Sequence, residues 1–228
     1  MLHAFNLKNV RRVLVSSRVE HANSKDEDGV TSMVFTPLAF MSAEAAASVL
    51  GEICGTALAG VFDGREPIHH EVILWPQGLR DTAWTDGAGS TRCEPDILIR
   101  FDFQVGHSVV LIGEMKWNWM VGTEHLRIET DRQRRAVRAF YPNAGQVVLT
   151  ITKRLVRQRL DDTVERTWVQ VHGAATALAR RAPSSPAGRW GRLVADFLSR
   201  AEQMDFQGFT DELPTTDVRN PMFWRPTV

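Results

Sequence analysis

Apolar residues recur along this chain with two periods, one typical of strands and the other typical of helices. The strand-type runs are "HHEVILWPQ", "EPDILIRFDFQVGHSVVLIGEMKW" and "GQVVLTITKR". The second run predicts a hairpin that turns at Gly106. In the third run, apolar side chains fill nearly every position from Val147 to Ile151, which predicts a central strand that is buried on both faces.

Helical spacing precedes, separates and follows these strands. The first helical stripe begins with an acid and continues through a kink at Pro37; its members are Glu27, Val30, Val34, Leu38 and Met41. Ser42 then caps a second helix, which ends near Gly55. The helix after the hairpin carries a stripe of Leu126, Thr130, Gln133, Val137 and Phe140, in which Gln133 is the unusual polar member. Two amphipathic helices near the C-terminus are joined by "RRAPSSPAGR".

The order of these segments is helix, helix, three strands, helix, strand, helix, helix. This order predicts an α/β fold with a central mixed β-sheet of about four strands flanked by helices, including the C-terminal helices. A length of 228 residues suits one domain. We therefore expect a single domain over 1–228, with a core from about 20 to 160, a C-terminal helical extension from about 165 to 205 and an irregular tail at 206–228.

Composition narrows the kind of site that this chain can hold. The 27 basic residues balance the 27 acidic ones, so the total charge points to neither nucleic acid nor membrane. Cys54 and Cys93 are too few for a disulfide framework and too isolated for a thiolate metal site. No apolar stretch has the length of a signal peptide core or a membrane span, so we expect a cytoplasmic protein without a membrane partner. A metal site in this chain would use oxygen ligands.

The hairpin carries charged residues within or beside its apolar runs. A turn centred on Gly106 places Asp96 opposite Lys116 and projects both from the same face as Glu114. Two carboxylates near 4 Å repel each other by about 1 kcal/mol in bulk water and about 4 kcal/mol at an effective dielectric of 20. Mg²⁺ would offset that repulsion, since it prefers oxygen ligands and completes its shell with water or phosphate oxygens. A metal beside a lysine suits phosphodiester hydrolysis.

The spacing of these residues resembles a known family. Pro95-Asp96 is followed after seventeen residues by Glu114-Met115-Lys116, at the end of an apolar strand. This pattern is similar to the PD-(D/E)xK nuclease superfamily, whose restriction-endonuclease-like fold has an αβββαβ core. A lysine at this position supports the resemblance, because only four of the 27 basic residues in this chain are lysine. The resemblance spans roughly residues 25 to 153.

The resemblance implies a role for each residue of the motif. Asp96, Glu114 and the backbone carbonyl of Met115 would bind Mg²⁺ or Mn²⁺, and Lys116 would orient or activate the attacking water. Two further residues match the superfamily outside the motif. Glu27 would hold a second metal or a metal-bound water, and Gln133 would orient a catalytic neighbour or a phosphate.

The resemblance also implies a partner, which is DNA first, and a bacterial or phage setting such as defence, restriction or repair. Basic residues near the motif would then contact phosphates: Arg132, Arg134, Arg135, Arg138, Lys153 and Arg154. A weaker alternative is an RNase with the same site. A different class of function is a catalytically silent member of the fold that binds nucleic acid or a protein, with Phe223 and Trp224 of the tail as the docking element. A homodimer is a further option.

Each candidate residue also has a purely structural interpretation. The charged hairpin residues could form cross-strand ion pairs on a solvated sheet face. An acid near the start of a helix is favoured by the helix dipole alone, and Asp26 or Asp28 could take the role of Glu27. Gln133 could bridge backbone groups at a buried edge, and the arginines could form ordinary solvated faces.

Overall fold

The computed structural model describes residues 24–81, 93–117, 122–154 and 159–201. Its helices are α1 (Ser24–Phe35), α2 (Ala43–Cys54), α3 (Thr56–Phe62), α4 (Gln77–Asp81), α5 (Thr123–Phe140), α6 (Trp168–Arg181) and α7 (Pro186–Arg200), with 3-10 turns at Thr36–Phe40 and Gln104–Gly106. Its strands are β1 (Pro67–Leu74), β2 (Ile97–Phe103), β3 (Ser108–Met115), β4 (Gly145–Thr152) and β5 (Thr163–Thr167). The predicted tail at 206–228, with Phe223 and Trp224, lies outside the described residues.

The strands form one mixed sheet in the order β1-β2-β3-β4-β5. Strand β2 is antiparallel to both β1 and β3, whereas β3, β4 and β5 run parallel to one another. The predicted α/β fold with a mixed sheet is confirmed, and the sheet has five strands where about four were expected. The prediction missed β5 because "TVERT" has only one apolar residue, Val164, and every position of this strand is half-buried.

The predicted helix boundaries near the N-terminus follow local chemistry. The chain leaves the α-helical conformation at Thr36–Phe40, where Pro37 cannot donate a backbone hydrogen bond. The Ser42 hydroxyl accepts a hydrogen bond from the Ala45 backbone at 3.2 Å and caps α2, which ends at Gly55 with φ at +66°. Helices α3 and α4 were not predicted.

Helices cover both faces of the sheet. On one face, odd-numbered residues of the hairpin such as Ile97, Ile99 and Leu111 pack into a large core together with residues of α1, α2, α6 and α7. On the other face, Leu98 and Ile112 pack into a second core with residues of α5. Both faces of the hairpin are therefore buried. Phe140, expected in the α5 stripe, is 44% exposed because the helix ends there.

The register of the hairpin differs from the prediction by two residues. Leu98 pairs with Ile112 and not with Glu114, and Arg100 pairs with Val110. The cause is the 3-10 turn at Gln104–Gly106, which moves the centre of the turn one residue towards the N-terminus. A shift of two preserves the alternation of side chains, so the predicted face survives.

Among the described helices, none combines the length and apolar character that crossing a membrane requires.

Candidate active site

Five buried polar side chains lie together where β3 ends and the chain enters β2. Helix α1 from one layer and helix α5 from the other both reach this end of the hairpin. Each of the five residues is at most 9% exposed: Glu27, Asp96, Glu114, Lys116 and Gln133. The structure thus brings together every acidic, basic and amide side chain predicted for catalysis, and the interpretation as a solvated sheet face is wrong.

Lys116 is the cation at the centre of this group. Its Nζ lies 2.5 Å from Oε1 of Glu114 and 3.3 Å from Oε1 of Glu27. Burial alone would lower the pKa of Lys116, but the carboxylates, led by Glu114 and followed by Glu27 and Asp96, raise it above its ordinary value. Lys116 is therefore an ammonium ion at neutral pH. Such a group can orient a water or stabilise a phosphate, but it cannot accept a proton.

Asp96 sits where its ionised form is disfavoured. Its Oδ2 accepts a 2.6 Å hydrogen bond from the Met115 backbone. Burial first, and then the negative charge of Glu114, raise the pKa of Asp96 to about 8. Continuing the observed register by one residue places Asp96 opposite Glu114, not opposite Lys116 as the predicted turn required. The two carboxyl groups are therefore both stabilised by the same positive charge, that of Lys116.

Glu114 and Gln133 form a pair between β3 and α5. The amide Nε2 of Gln133 donates to Oε2 of Glu114 at 2.6 Å, and burial raises the pKa of Glu114 while Lys116 opposes that rise. Among the described residues, the other amide atom, Oε1 of Gln133, has no hydrogen-bond partner. A buried acceptor without a donor is costly. Gln133 therefore orients Glu114 and leaves an acceptor for a bound water or other donor.

Glu27 connects α1 to the end of β3. Its Oε1 contacts Lys116, and its Oε2 accepts a 3.0 Å hydrogen bond from the backbone of Trp117. Both carboxylate oxygens are thus engaged within the protein. The neighbouring Asp28 is exposed, so the acid that points into the site is Glu27.

Sequence reasoning missed the charged border of the site. After burial and Lys116, the Glu129 carboxylate of α5 is the next influence on the pKa of Glu114, and it adds to the rise. Burial and then Glu94 raise the pKa of Asp28. Glu129 precedes Gln133 by four residues, so helical spacing alone could have placed it on the same face. The border is therefore mainly acidic.

Cys93 marks the position of one candidate DNA-contacting arginine. Burial raises the pKa of Cys93 to about 11, Arg132 opposes that rise, and Glu114 adds to it. Arg132 therefore lies near the site, beside a thiol that stays protonated. Arg134 instead donates to the backbone carbonyl of Asp162 at 3.0 Å, next to β5.

The remaining basic candidates lie at the surface. Arg135 donates to the Asp131 backbone, and Arg138 is exposed. Lys153 and Arg154 are exposed and follow β4 directly. Because β4 is parallel to β3, with Ile151 beside Met115, these two residues lie at the same edge of the sheet as the site.

Mg²⁺ prefers oxygen ligands in a nearly octahedral arrangement and usually keeps several waters. The described residues contain no group of three or more His, Cys, Asp or Glu side chains arranged to hold a metal. The set implied by the resemblance is smaller: two carboxylates, from Asp96 and Glu114, and the carbonyl of Met115. Carboxylate oxygens keep free lone pairs when they accept one hydrogen bond, and burial together with the charge of Glu114 raises the pKa of Asp96, which a bound cation would lower again. The set therefore fits a magnesium ion that keeps several waters.

No protein-family model, curated protein or solved structure matches this chain. Support for a function therefore comes from the residues of the site and their arrangement.

Proposed function

We propose that this protein is a Mg²⁺- or Mn²⁺-dependent nuclease that hydrolyses phosphodiester bonds in DNA. The observation that carries the proposal is the buried cluster at the end of the hairpin, in which Asp96, Glu114 and Lys116 share one face. Strongly perturbed carboxyl groups that share a buried position are typical of functional sites. A structural ion pair would not need a second buried carboxylate with a pKa raised to about 8.

The residues have separate roles in this proposal. Asp96, Glu114 and the Met115 carbonyl hold the cation, which when bound polarises the phosphate and makes a coordinated water more acidic. Lys116, as an ammonium ion, orients the attacking water and stabilises negative charge on the phosphate. Gln133 fixes Glu114 through its amide nitrogen. Glu27 holds Lys116 and the strand end in place, which is a positioning role and a change from the second-metal role implied by the resemblance.

DNA would approach along the sheet edge that carries the exposed Lys153 and Arg154, with Arg132 near the site. Phosphates carry the negative charge that such residues attract. Without a bound cation, however, the acidic border formed by Asp28, Glu94 and Glu129 opposes a phosphate. Binding of DNA in the reacting position is therefore expected to require the metal.

The direct test compares two lysines of the same chain. Lys116→Met removes the buried ammonium, whereas Lys153→Met removes an exposed one. We expect Lys116→Met to lower Mg²⁺-dependent cleavage of plasmid and linear DNA by at least about 10³-fold, and Lys153→Met to change it by less than about tenfold. Equal rates for wild type and Lys116→Met would exclude this mechanism. Parallel reactions with RNA decide between DNase and RNase.

A catalytically silent protein with the same fold is the second candidate. It is favoured by the engagement of both Glu27 oxygens and by a ligand set with only two carboxylates. Thermal unfolding separates the two candidates, since a ligand that binds the folded state raises Tm. The nuclease should be stabilised by Mg²⁺ or Mn²⁺ beyond a control of equal ionic strength, and Asp96→Ala should lose that stabilisation. A silent protein should show no such difference.

A further inference from the structure

Lys116 follows the last residue of β3, and both its backbone N–H and its backbone carbonyl form hydrogen bonds within the protein. Its N–H donates to the carbonyl of Ile151 in β4 at 2.7 Å. Its carbonyl accepts a hydrogen bond from the indole Nε1 of Trp168 at 3.1 Å, in a fully buried position. The backbone that presents the lysine is thus fixed by β4 and by the first residue of α6.

The chain between β4 and α6 explains why an indole reaches this position. Strand β5 pairs with β4 in parallel, with Thr152 beside Thr167. Thr167 then caps α6 through reciprocal hydrogen bonds with Gln170, at 3.2 Å and 2.9 Å. This cap starts the helix at the sheet edge where β3 also ends. The Trp168 ring meets Trp117 edge-on, with ring centroids 5.2 Å apart.

A second tryptophan shows what a purely structural indole looks like in this fold. Trp190 of α7 is also buried, and its Nε1 donates to the carbonyl of Val34 in α1 at 2.9 Å. The two residues have the same burial and the same kind of hydrogen bond. They differ in the acceptor, because Trp168 binds a residue of the site and Trp190 binds a residue of the core.

We propose that Trp168 is a positioning residue that fixes the backbone of Lys116 through its indole N–H, so that α6 helps to shape the site. The catalytic consequence of this proposal rests on the proposed nuclease function. The geometric consequence does not, because it concerns only the orientation of Lys116. Loss of the indole N–H removes the hydrogen bond that joins the Lys116 carbonyl to α6, and the lysine then turns away from Glu114 and Glu27 in part of the molecules.

Trp168→Phe and Trp190→Phe form a matched pair of variants. Both keep an aromatic ring in the core and remove one indole hydrogen bond. With Mg²⁺ and DNA, we expect Trp168→Phe to lower kcat per folded molecule by at least about tenfold and to change KM for DNA by less than about twofold. Trp190→Phe should change neither constant by more than about twofold. The folded fraction is measured by thermal unfolding of the same samples.

A second measurement needs no enzymatic activity. Trace acetylation with acetic anhydride, followed by mass spectrometry, reports the reactivity of Lys116 relative to the exposed Lys153 in one molecule. The ion pairs of Lys116 protect it in the wild type. We expect the ratio of Lys116 to Lys153 labelling to rise at least about threefold in Trp168→Phe and to stay at the wild-type value in Trp190→Phe.

The two measurements separate the two ideas. If wild type cuts neither DNA nor RNA but the labelling ratio rises in Trp168→Phe alone, the nuclease proposal fails and the positioning role stands. If the labelling ratio is the same in both variants, the positioning role of Trp168 is overturned, whatever the activity of the wild type. A loss of kcat that is equal in both variants would also overturn it, because general destabilisation would then suffice.

Discussion

The hairpin of β2 and β3 carries a charged cluster at each end, and the two clusters differ in kind. At the turn, Asp102 accepts hydrogen bonds from Ser108 at 2.8 Å, Arg100 at 3.1 Å and His69 at 3.2 Å. Burial alone would raise the pKa of Asp102, but these hydrogen bonds and the charge of Arg100 hold it below its ordinary value. At the other end, the pKa of Asp96 is raised to about 8. Two aspartates of one hairpin thus respond in opposite directions.

The difference lies in what surrounds each carboxylate. Asp102 has donors on both oxygens and lies at a partly exposed end, so its ionised form is satisfied within the protein. Asp96 is buried next to Glu114, and Lys116 already contacts Glu114 and Glu27. The carboxylate of the turn cluster is stabilised by its own hydrogen bonds. Within the part of the chain that the structure describes, the buried acids of the site outnumber its buried cation, and the proposed metal ion would balance their charge.

The largest expected effect is on activity. Asp96→Asn removes one of the proposed cation ligands and should lower Mg²⁺-dependent DNA cleavage by at least about 10³-fold. Asp102→Asn makes the same chemical change on the same hairpin and should leave cleavage within about twofold of wild type. Initial rates on linear DNA, with both variants at matched folded fraction, measure the contrast. Similar losses in both variants would remove the distinction between the two ends.

The next effect is on stability, and its sign should differ between the two ends. Between the usual aspartate pKa of 3.8 and the folded value of about 8, the folded protein keeps a proton on Asp96 that the unfolded chain releases. Wild-type stability therefore falls as pH rises through this window, by up to about 1.4 kcal/mol per pH unit. Asp96→Asn escapes that loss, so in the absence of metal it should be more stable than wild type at pH 8 and should lose this advantage towards pH 4.

Asp102→Asn should behave in the opposite way. Its lowered pKa stabilises the folded state above the ordinary aspartate pKa, and that contribution is lost as pH falls through the folded pKa. The variant should therefore be less stable than wild type at pH 7, by less than about 1 kcal/mol because the cluster is partly exposed. Urea unfolding of both variants from about pH 2 to about pH 8 covers the window of Asp102, which lies below about pH 4, and that of Asp96, which lies above it. Parallel slopes for the two variants would contradict the assigned environments.

An intermediate effect should come from Gln133→Leu. This change keeps the apolar contacts of the side chain and removes both the hydrogen bond to Glu114 and the free Oε1. We expect kcat to fall by about ten- to a hundredfold and the half-saturating Mg²⁺ concentration to rise. Titration of cleavage rate with Mg²⁺ measures both quantities. An unchanged Mg²⁺ titration would limit Gln133 to a packing role.

The smallest effect concerns the exposed basic residues after β4. Replacing Lys153 and Arg154 together by alanine should reduce the salt dependence of DNA binding by about two phosphate contacts, while cleavage at saturating DNA stays near wild type. Binding measured at several salt concentrations, with Ca²⁺ in place of Mg²⁺, gives the slope. An unchanged slope would place the DNA path elsewhere.

Local pattern was sufficient to predict strands β1 to β4 and the charged face of the hairpin. Alternation places Asp96, Glu114 and Lys116 on one side whatever the exact register, because a shift of two residues preserves the face. The register itself was predicted wrongly because the 3-10 conformation of Gln104–Gly106 is a property of the turn backbone. Gln133 was predicted because a polar residue interrupts an apolar helical stripe.

Contacts between distant elements were not predictable in the same way. Helical spacing places Glu129 on the same face as Gln133, but no local pattern indicates that this face lies against Glu114, or that the indole of Trp168 donates to the carbonyl of Lys116. These contacts depend on how α5 and α6 pack against the sheet. Strand β5 was missed for a related reason, since its five residues become a strand by pairing with β4 and not through an apolar run of their own.

The bond between Trp168 and Lys116 spans 52 positions of the chain, and the one between Lys116 and Glu27 spans 89. A nascent chain that ends after the hairpin therefore lacks Trp168, so its Lys116 carbonyl does not yet have the indole donor. Contacts of such long separation form late in folding. We expect nascent chains that end before β5 to leave Lys116 open to acetylation, and chains that extend through α7 to protect it. Under the proposed nuclease function, the site would be complete only after Trp168 of α6 has been synthesised.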